Sequence, residues 1–227
     1  MIRSPIINPR AVKGWVNRGF ALGTASYDLD SQYSPDTAYD KSLVLDLASP
    51  KYEPNKTYIF DKSRYNNHGT ITGATWVRLP SGLWVLSFDG DDFVTLSNDA
   101  FASLTTFTIE IWFNLTSLTP DQTLWSTRAD ANNRVHVVFV GGTTAVQLYL
   151  IANAVAGIQW QTANLVAGQK THLAFTYPAV SGQVARCFQN GVEKTNVVFG
   201  SATLNNSVSF ANFVGTQVNR IGQENST

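Results

Sequence analysis

From Phe107 to Leu115 the chain alternates strictly. Phe107, Ile109, Ile111, Phe113 and Leu115 face one way and Thr108, Glu110, Trp112 and Asn114 the other. Side chains on a strand alternate sides, so this stretch predicts a long strand with one buried and one half-exposed face. Such an apolar row needs a second layer to cover it, which argues for a β-sandwich.

Shorter stretches repeat the theme on both sides. Leu43 to Leu47, Tyr58 to Asp61, Thr70 to Thr72, Leu83 to Phe88 and Phe93 to Leu96 read as strands upstream. Thr123 to Thr127, Val135 to Val140, Val146 to Ala152, Ile158 to Thr162, Lys170 to Tyr177, Gln183 to Gln189 and Glu193 to Phe199 read as strands downstream. Two connections carry strong turn chemistry. Asp89-Gly90-Asp91-Asp92 predicts a hairpin between its flanking strands, and Asn190-Gly191 predicts a tight one. The helical signal is confined to Asn98 to Leu104, with Asn98 or Asp99 as a cap. About a dozen short strands without strand–helix alternation specify an all-β, two-sheet antiparallel sandwich and argue against a nucleotide-binding fold.

Residues 1 to 40 lack sustained periodicity and are read as an extended N-terminal arm ahead of a sandwich over 41–227. Trp15, Val16, Phe20 and Tyr27 are too apolar for a free tail, so the arm is expected to dock on its own domain or on a neighbouring subunit. Pro5 and Pro9 interrupt what a signal peptide would need, and no later run is long enough for a membrane span. The expectation is a chain made in the cytoplasm. With 16 basic and 16 acidic residues and no block of one sign, nothing points to nucleic acid or an anionic membrane. Cys187 is the one cysteine, so stability must come from packing and hydrogen bonds.

Several segments together resemble the concanavalin A-like jelly-roll domains, in their laminin G-like or pentraxin-like branch. They are Leu43-Val-Leu-Asp-Leu, the stretch from Asp61-Lys-Ser to Asn67-His-Gly-Thr-Ile, Leu86-Ser-Phe-Asp-Gly-Asp-Asp-Phe-Val and Phe107-Thr-Ile-Glu-Ile-Trp-Phe. Thr171-His-Leu-Ala-Phe-Thr-Tyr, Gln189-Asn-Gly-Val and Arg220-Ile-Gly complete the set. The resemblance covers residues 42 to 223 and implies two curved antiparallel sheets and, most often, a non-enzymatic domain for binding or display. In similar domains a final strand follows the Ile-Gly segment and pairs near the first, whereas this chain ends at Thr227. An unpaired edge beside Leu43 to Leu47 is therefore expected, covered by the arm or a neighbouring subunit through strand addition.

Glycosidases of the superfamily need two carboxylates on one strand face. Glu110 is alone on its strand, and Glu53, Glu110, Glu193 and Glu224 include no closely spaced pair. Glu110 is read as a structural carboxylate on a half-buried face and the protein as no enzyme. His68, His136 and His172 are not spaced as metal ligands and are read as packed imidazoles. Asp89, Asp91 and Asp92 form one oxygen-rich loop and Asp130, Asn132 and Asn133 a second, which makes both candidates for Ca2+; ordinary turn chemistry explains the same residues. For sugars, Trp125, Tyr149 and Trp160 offer flat aromatic surfaces beside the amides of Gln147, Gln159 and Gln161, while Trp76, Trp84 and Trp112 are assigned to the core or the sheet face.

These features suit a lectin-like display, adhesion or decoration protein on a larger assembly, such as the surface of a virion or phage tail. Its expected partners are neighbouring subunits and a glycan. The alternative is a carbohydrate-binding module of a secreted or cell-surface protein, and a glycosidase is the third reading.

Overall fold

The structure, a computed structural model, describes residues 42–98, 100–161, 164–178, 185–194 and 209–223, with 155–161 described by backbone alone. The N-terminal arm, Asp99 and the end of the strand expected over Glu193 to Phe199 lie outside these residues. In chain order the strands are β1 Tyr58–Ile59, β2 Gly69–Thr72, β3 Thr75–Arg78, β4 Trp84–Ser87, β5 Phe93–Leu96, β6 Phe107–Asn114, β7 Gln122–Asp130 and β8 Asn133–Val140. Then come β9 Ala145–Ala152, β10 Val155–Gln161, β11 Lys170–Tyr177, β12 Arg186–Gln189, β13 Val192–Lys194 and β14 Val218–Ile221, with a 3-10 turn at Phe210–Asn212 before β14.

The chain divides into two compact units. The described part of the first comprises residues 42–68 and 76–85; the second comprises 69–75 and 86–223. The first unit is organised by Asp61. Its carboxylate is buried and accepts four hydrogen bonds: Oδ1 from the amides of Asp46 (2.8 Å) and Ser63 (2.9 Å), Oδ2 from Ser63 Oγ (2.6 Å) and the Asn67 amide (2.7 Å). The Ser63 hydroxyl and the Asn67 side-chain amide both lie against the Val44 carbonyl, and the Lys62 amide donates to the Asp46 carbonyl. Leu43 to Leu47 is therefore held as an irregular segment by side chains, which corrects the expectation of a strand there. His68 accepts the Asp61 amide at Nδ1 (3.0 Å) and meets Phe60 edge-on, the packed imidazole expected of it.

In the second unit the large sheet runs β2-β5-β14-β7-β8-β9-β10 and a four-stranded sheet runs β13-β12-β11-β6. The described ladders of these two sheets are antiparallel. Val94, Leu96, Val135, Val137, Leu148 and Leu150 line one face of the large sheet, and Leu173, Phe175 and Cys187 line one face of the smaller; all are buried. Fully burying a side chain of this size stabilises by about 1.5–3 kcal/mol. Burial pushes the Cys187 thiol up to about 12, so it stays protonated and packs as a small hydrophobe.

Phe210, from the 3-10 turn, joins the aromatic rings of both layers. It lies 4.7 Å from Phe107 of β6, and 5.9 Å from both Trp125 of β7 and Phe101. Phe107 in turn stacks on Tyr177 of β11 at 5.1 Å.

Most expected strands are present. Phe93–Leu96 and Lys170–Tyr177 match the expected spans, and Asn190 and Gly191 take positive φ (51° and 80°), as a two-residue hairpin requires. Two expectations are corrected. The strands flanking Asp89 to Asp92 form no hairpin with each other, because β4 pairs with β3 while β5 pairs with β2 and β14. The described residues between Asn98 and Leu104 form turns closed by the Leu104 amide on the Phe101 carbonyl, not a helical turn; the 3-10 turn forms at Phe210–Asn212 instead, with Ser209 and Asn212 closing its start.

Candidate functional site

Residues paired directly across an antiparallel ladder share a sheet face, so register sorts the candidate sugar contacts. Trp125 pairs with Val137, and Val137 with Leu148. This is the core row: Trp125 is 6% exposed and meets Phe101 edge-on at 5.5 Å, so it serves packing and presents no face to a ligand. A bulge produces this. Thr123 pairs with Val138 and Trp125 with Val137, so Leu124 is extra and the alternation changes sides between them. Trp160 pairs with Leu148, so its backbone belongs to the same row.

Tyr149, Gln159 and Gln161 fall on the opposite, outer face. Tyr149 pairs with His136 on one side and Gln159 on the other, and Gln147 pairs with Val138 and Gln161. The Tyr149 ring lies 5.3 Å from the His136 ring, and the Arg134 guanidinium sits 5.5 Å from its centroid. The outer row of β8 is half-buried along its length, as are Gln147, Tyr149 and Ile151 of β9, whereas the outer row of β6 is exposed. Gln147 and Tyr149 are thus half-buried, each with part of its surface still reaching solvent.

Three arginines share this face. Arg128 pairs directly with Arg134, and Arg220 pairs with Ser126, two residues before Arg128 on β7. Arg220 lies 4.3 Å from the Phe93 ring centroid and donates from Nη1 to Gln223 Oε1 at 3.2 Å. Ser126 Oγ donates to the Gln223 carbonyl at 3.2 Å, which lays the end of the described chain against this part of the face. None of these arginines was among the candidates read from sequence. Arg128 faces Arg134 only because the register shifts between Arg128 and Asp130, and Arg220 is joined to them only by strand order.

The two oxygen-rich loops differ in kind. Asp89, Asp91 and Asp92 bring carboxylate oxygens within 4.8 Å of one another, so they could hold a metal ion. Asp92 is the buried member: its Oδ2 accepts the Asp89 amide at 3.0 Å, and its Oδ1 occupies the space where Gly73, at φ 80°, has no Cβ. Three carboxylates supply part of the six to eight oxygens Ca2+ takes. In the second loop, Asp130 accepts the Asn132 amide at 2.6 Å and the Asn133 Nδ2 at 3.1 Å. These bonds, first the one from Asn132, hold its carboxyl below the usual range. Asn133 Oδ1 accepts the amides of Asn153 and Val214. Asp130, Asn132 and Asn133 thus fasten the hairpin end.

On the four-stranded sheet, Glu110 is exposed, not the half-buried acceptor expected, and its nearest described partner is His172 at 3.9 Å. Trp112 stands out at 63% exposed. It stacks on His172 (4.5 Å, 29° between planes), with the Lys170 ammonium 4.5 Å from its centroid. This confirms it as a sheet-face residue. Glu110 is the sole carboxylate of β6, which leaves that strand without the acid pair of a glycosidase.

A family profile described as the concanavalin A-like lectin/glucanases superfamily matches residues 88–226. The chain belongs to that superfamily. The superfamily's two-layer antiparallel architecture is the one described above. Among solved structures, domain 4 of AbnA, a GH43 extracellular arabinanase from Geobacillus stearothermophilus, in complex with arabinotriose, is similar at 19% identity and a TM-score of 0.42. The match covers 68% of this chain and 82% of that one. The carbohydrate-binding module CBM66 from Bacillus subtilis is similar at 14% identity and a TM-score of 0.36, over 68% of this chain and 91% of its own. The receptor binding domain of botulinum neurotoxin type G is similar at 14% identity and a TM-score of 0.46, over 80% of this chain and 48% of that one. No curated protein sequence matches the chain.

Proposed function

We propose that the protein is a non-catalytic carbohydrate-binding domain whose ligand lies on the outer face of the large sheet, along β8, β9 and β10. The observation that carries this is the half-buried row of β8 and β9 in which Tyr149 lies beside His136 and Arg134, with Gln159 and Gln161 opposite Tyr149 and Gln147 by backbone register. An aromatic ring supplies a flat apolar contact for a pyranose face, and amides and guanidinium groups supply directional partners for hydroxyls. Membership of a superfamily of lectins and glucanases supports sugar recognition, and the isolated Glu110 supports binding without hydrolysis. Ca2+ at Asp89, Asp91 and Asp92 is an accompanying proposal.

Display on a larger assembly, with neighbouring subunits contacting residues 1–40 or a sheet edge, is the setting proposed for this binding. A virion or phage-tail surface is the specific location. The exposed Trp112, on a different sheet from the sugar face, leaves an aromatic surface for such contacts. Cofractionation of the protein with purified particles would support that location, and its recovery only as free protein would contradict it.

A glycan array followed by calorimetry on the hits tests the binding. Tyr149→Ala is expected to weaken a bound glycan by about tenfold or more, ~1.4 kcal/mol or greater. Trp112→Ala is expected to leave that affinity unchanged, and the reverse pattern would move the site to the other sheet. Repeating the titration after chelation, with Asp91→Asn alongside, reports whether Ca2+ contributes.

A further inference from the structure

We infer that the open edge of β6 is a self-association surface on which β6 of a second copy of this chain pairs antiparallel, so that the four-stranded sheet continues across a two-fold axis. This goes beyond the saccharide reading and uses none of its residues; it gives the proposed subunit contact an edge and a partner.

Strand order supplies the first observation. β6 ends the sheet β13-β12-β11-β6, and among the described residues β11 is the one strand that pairs with it. Phe107 to Asn114 pair with β11 without a register shift, so the far edge is straight. In an antiparallel strand every second residue aims its N–H and C=O away from a given neighbour, which leaves about four such residues facing outward on that edge. Edges of this kind are normally shortened, bulged or blocked by proline or lysine. β6 carries no proline, glycine, lysine or bulge. By contrast, the opposite edge of the sheet, β13, has three residues and includes Glu193 and Lys194, and β10 at the end of the large sheet is broken between Ala156 and Ile158.

Burial supplies the second. On the inner face Phe107 stands opposite Tyr177, Ile109 opposite Phe175 and Ile111 opposite Leu173. The β11 residues of these pairs are buried, whereas Phe107, Ile109, Ile111 and Phe113 are each half-buried. Apolar surface thus remains uncovered along the same edge that has outward-facing backbone groups. One added strand covers both.

Charge selects the second copy as the occupant. Two copies related by a two-fold make each contact twice, so the edge must complement itself. Inner rows must meet inner rows, which places the axis on a residue and not between two. The axis positions with the longest overlap are Glu110 and Ile111. With the axis at Ile111, Ile109 meets Phe113 of the second copy, Thr108 meets its Asn114, and Glu110 meets its Trp112. The Lys170 ammonium lies 4.5 Å from the Trp112 ring centroid, so each exposed Glu110 carboxylate arrives beside the Lys170 of the other copy. With the axis at Glu110 the two carboxylates oppose each other, which destabilises a ladder. The Ile111 register also covers part of the Trp112 side chain, which is 63% exposed. Within one copy, Glu110 has His172 at 3.9 Å, while Lys170 pairs with Asn114, four residues along the strand and about 13 Å away. A second copy is what brings this acid and this cation together.

Sedimentation equilibrium of the full chain at concentrations up to about 1 mM tests this. The expected result is a reversible rise from the mass of one chain to that of two. Amides of alternate β6 residues should exchange more slowly as the concentration rises, a measurement on the unaltered chain that stands even where a variant fails to fold. Glu110→Lys and Lys170→Glu should each weaken the dimer by about tenfold or more. The double variant, Glu110→Lys with Lys170→Glu, should restore it to within about threefold of the wild type, a rescue that no contact inside one copy can supply.

The mass of a single chain at every concentration, with β6 exchange independent of concentration, would overturn the inference and leave the saccharide reading standing. A dimer indifferent to both single variants, or one that the double variant does not restore, would overturn it as well, because association would then run through another surface.

Discussion

Phe210→Ala is expected to destabilise the second unit by about 3–5 kcal/mol, the range for removing a large aromatic side chain from a packed core. Phe210 is fully buried and comes from a connection, not a strand, yet its ring contacts Phe107 of β6 and Trp125 of β7, strands of different sheets. Truncation would leave a cavity between layers that a short turn has little freedom to refill, since its start is fastened by Ser209 and Asn212. Phe213, half-buried and 5.6 Å from the Phe210 ring, is the control. Its truncation should cost less than half as much. Denaturant unfolding of both variants checks this. Equal losses would mean that Phe210 is one aromatic among several and does not bridge the layers.

Asp61→Asn is the second large effect, and it tests chemistry in place of volume. Four donors converge on the two carboxylate oxygens of Asp61. An amide offers one oxygen and turns an NH2 toward donors that have nothing to give it. The cost should approach that of Asp61→Ala, about 2–4 kcal/mol, since hydrogen bonds to charged groups contribute about 1.5–3 kcal/mol and stranded buried donors about 1–3. Amide exchange should accelerate first at Asp46, Ser63 and Asn67, whose N–H groups donate to this carboxylate. An Asn variant as stable as the wild type would show that the segment from Leu43 to Leu47 is held by something else.

How far each feature could be read from sequence follows from the range over which it is encoded. β6, β11 and the Asn190-Gly191 turn were legible because alternation and positive-φ chemistry are local. The turn chemistry of Asp89 to Asp92 was legible too, but its partners were not. Whether a turn returns a chain to the same sheet or passes it to another depends on strand order, which β4 and β5 settle with β3, β2 and β14. Trp125 was misread because the extra residue at Leu124 reverses the faces within one strand, and a bulge leaves no mark in the hydrophobic pattern.

The candidate site divides in the same way. Tyr149, Gln159 and Gln161 were named from residue type alone, together with Trp160, and only the register of β9 and β10 separates Trp160, which pairs with Leu148, from the other three. Of the arginines, Arg128 and Arg134 lie on either side of a tight turn, but they face each other only through the register shift before Asp130. Arg220, 92 positions beyond Arg128, reaches it only because β14 inserts between β5 and β7. Leu43 to Leu47 carries strand-like residues, but the Asp61 carboxylate and the side-chain donors of Ser63 and Asn67 compete for its backbone and prevail.

A saccharide is expected to occupy the outer face of the large sheet. Amide shift mapping by NMR during titration with a glycan identified on the array tests it most directly. The largest perturbations are expected at Arg134, His136, Gln147 and Tyr149, with Trp112 and His172 unmoved. Perturbations concentrated on Trp112, His172 and Lys170, with Tyr149 unaffected, would contradict it.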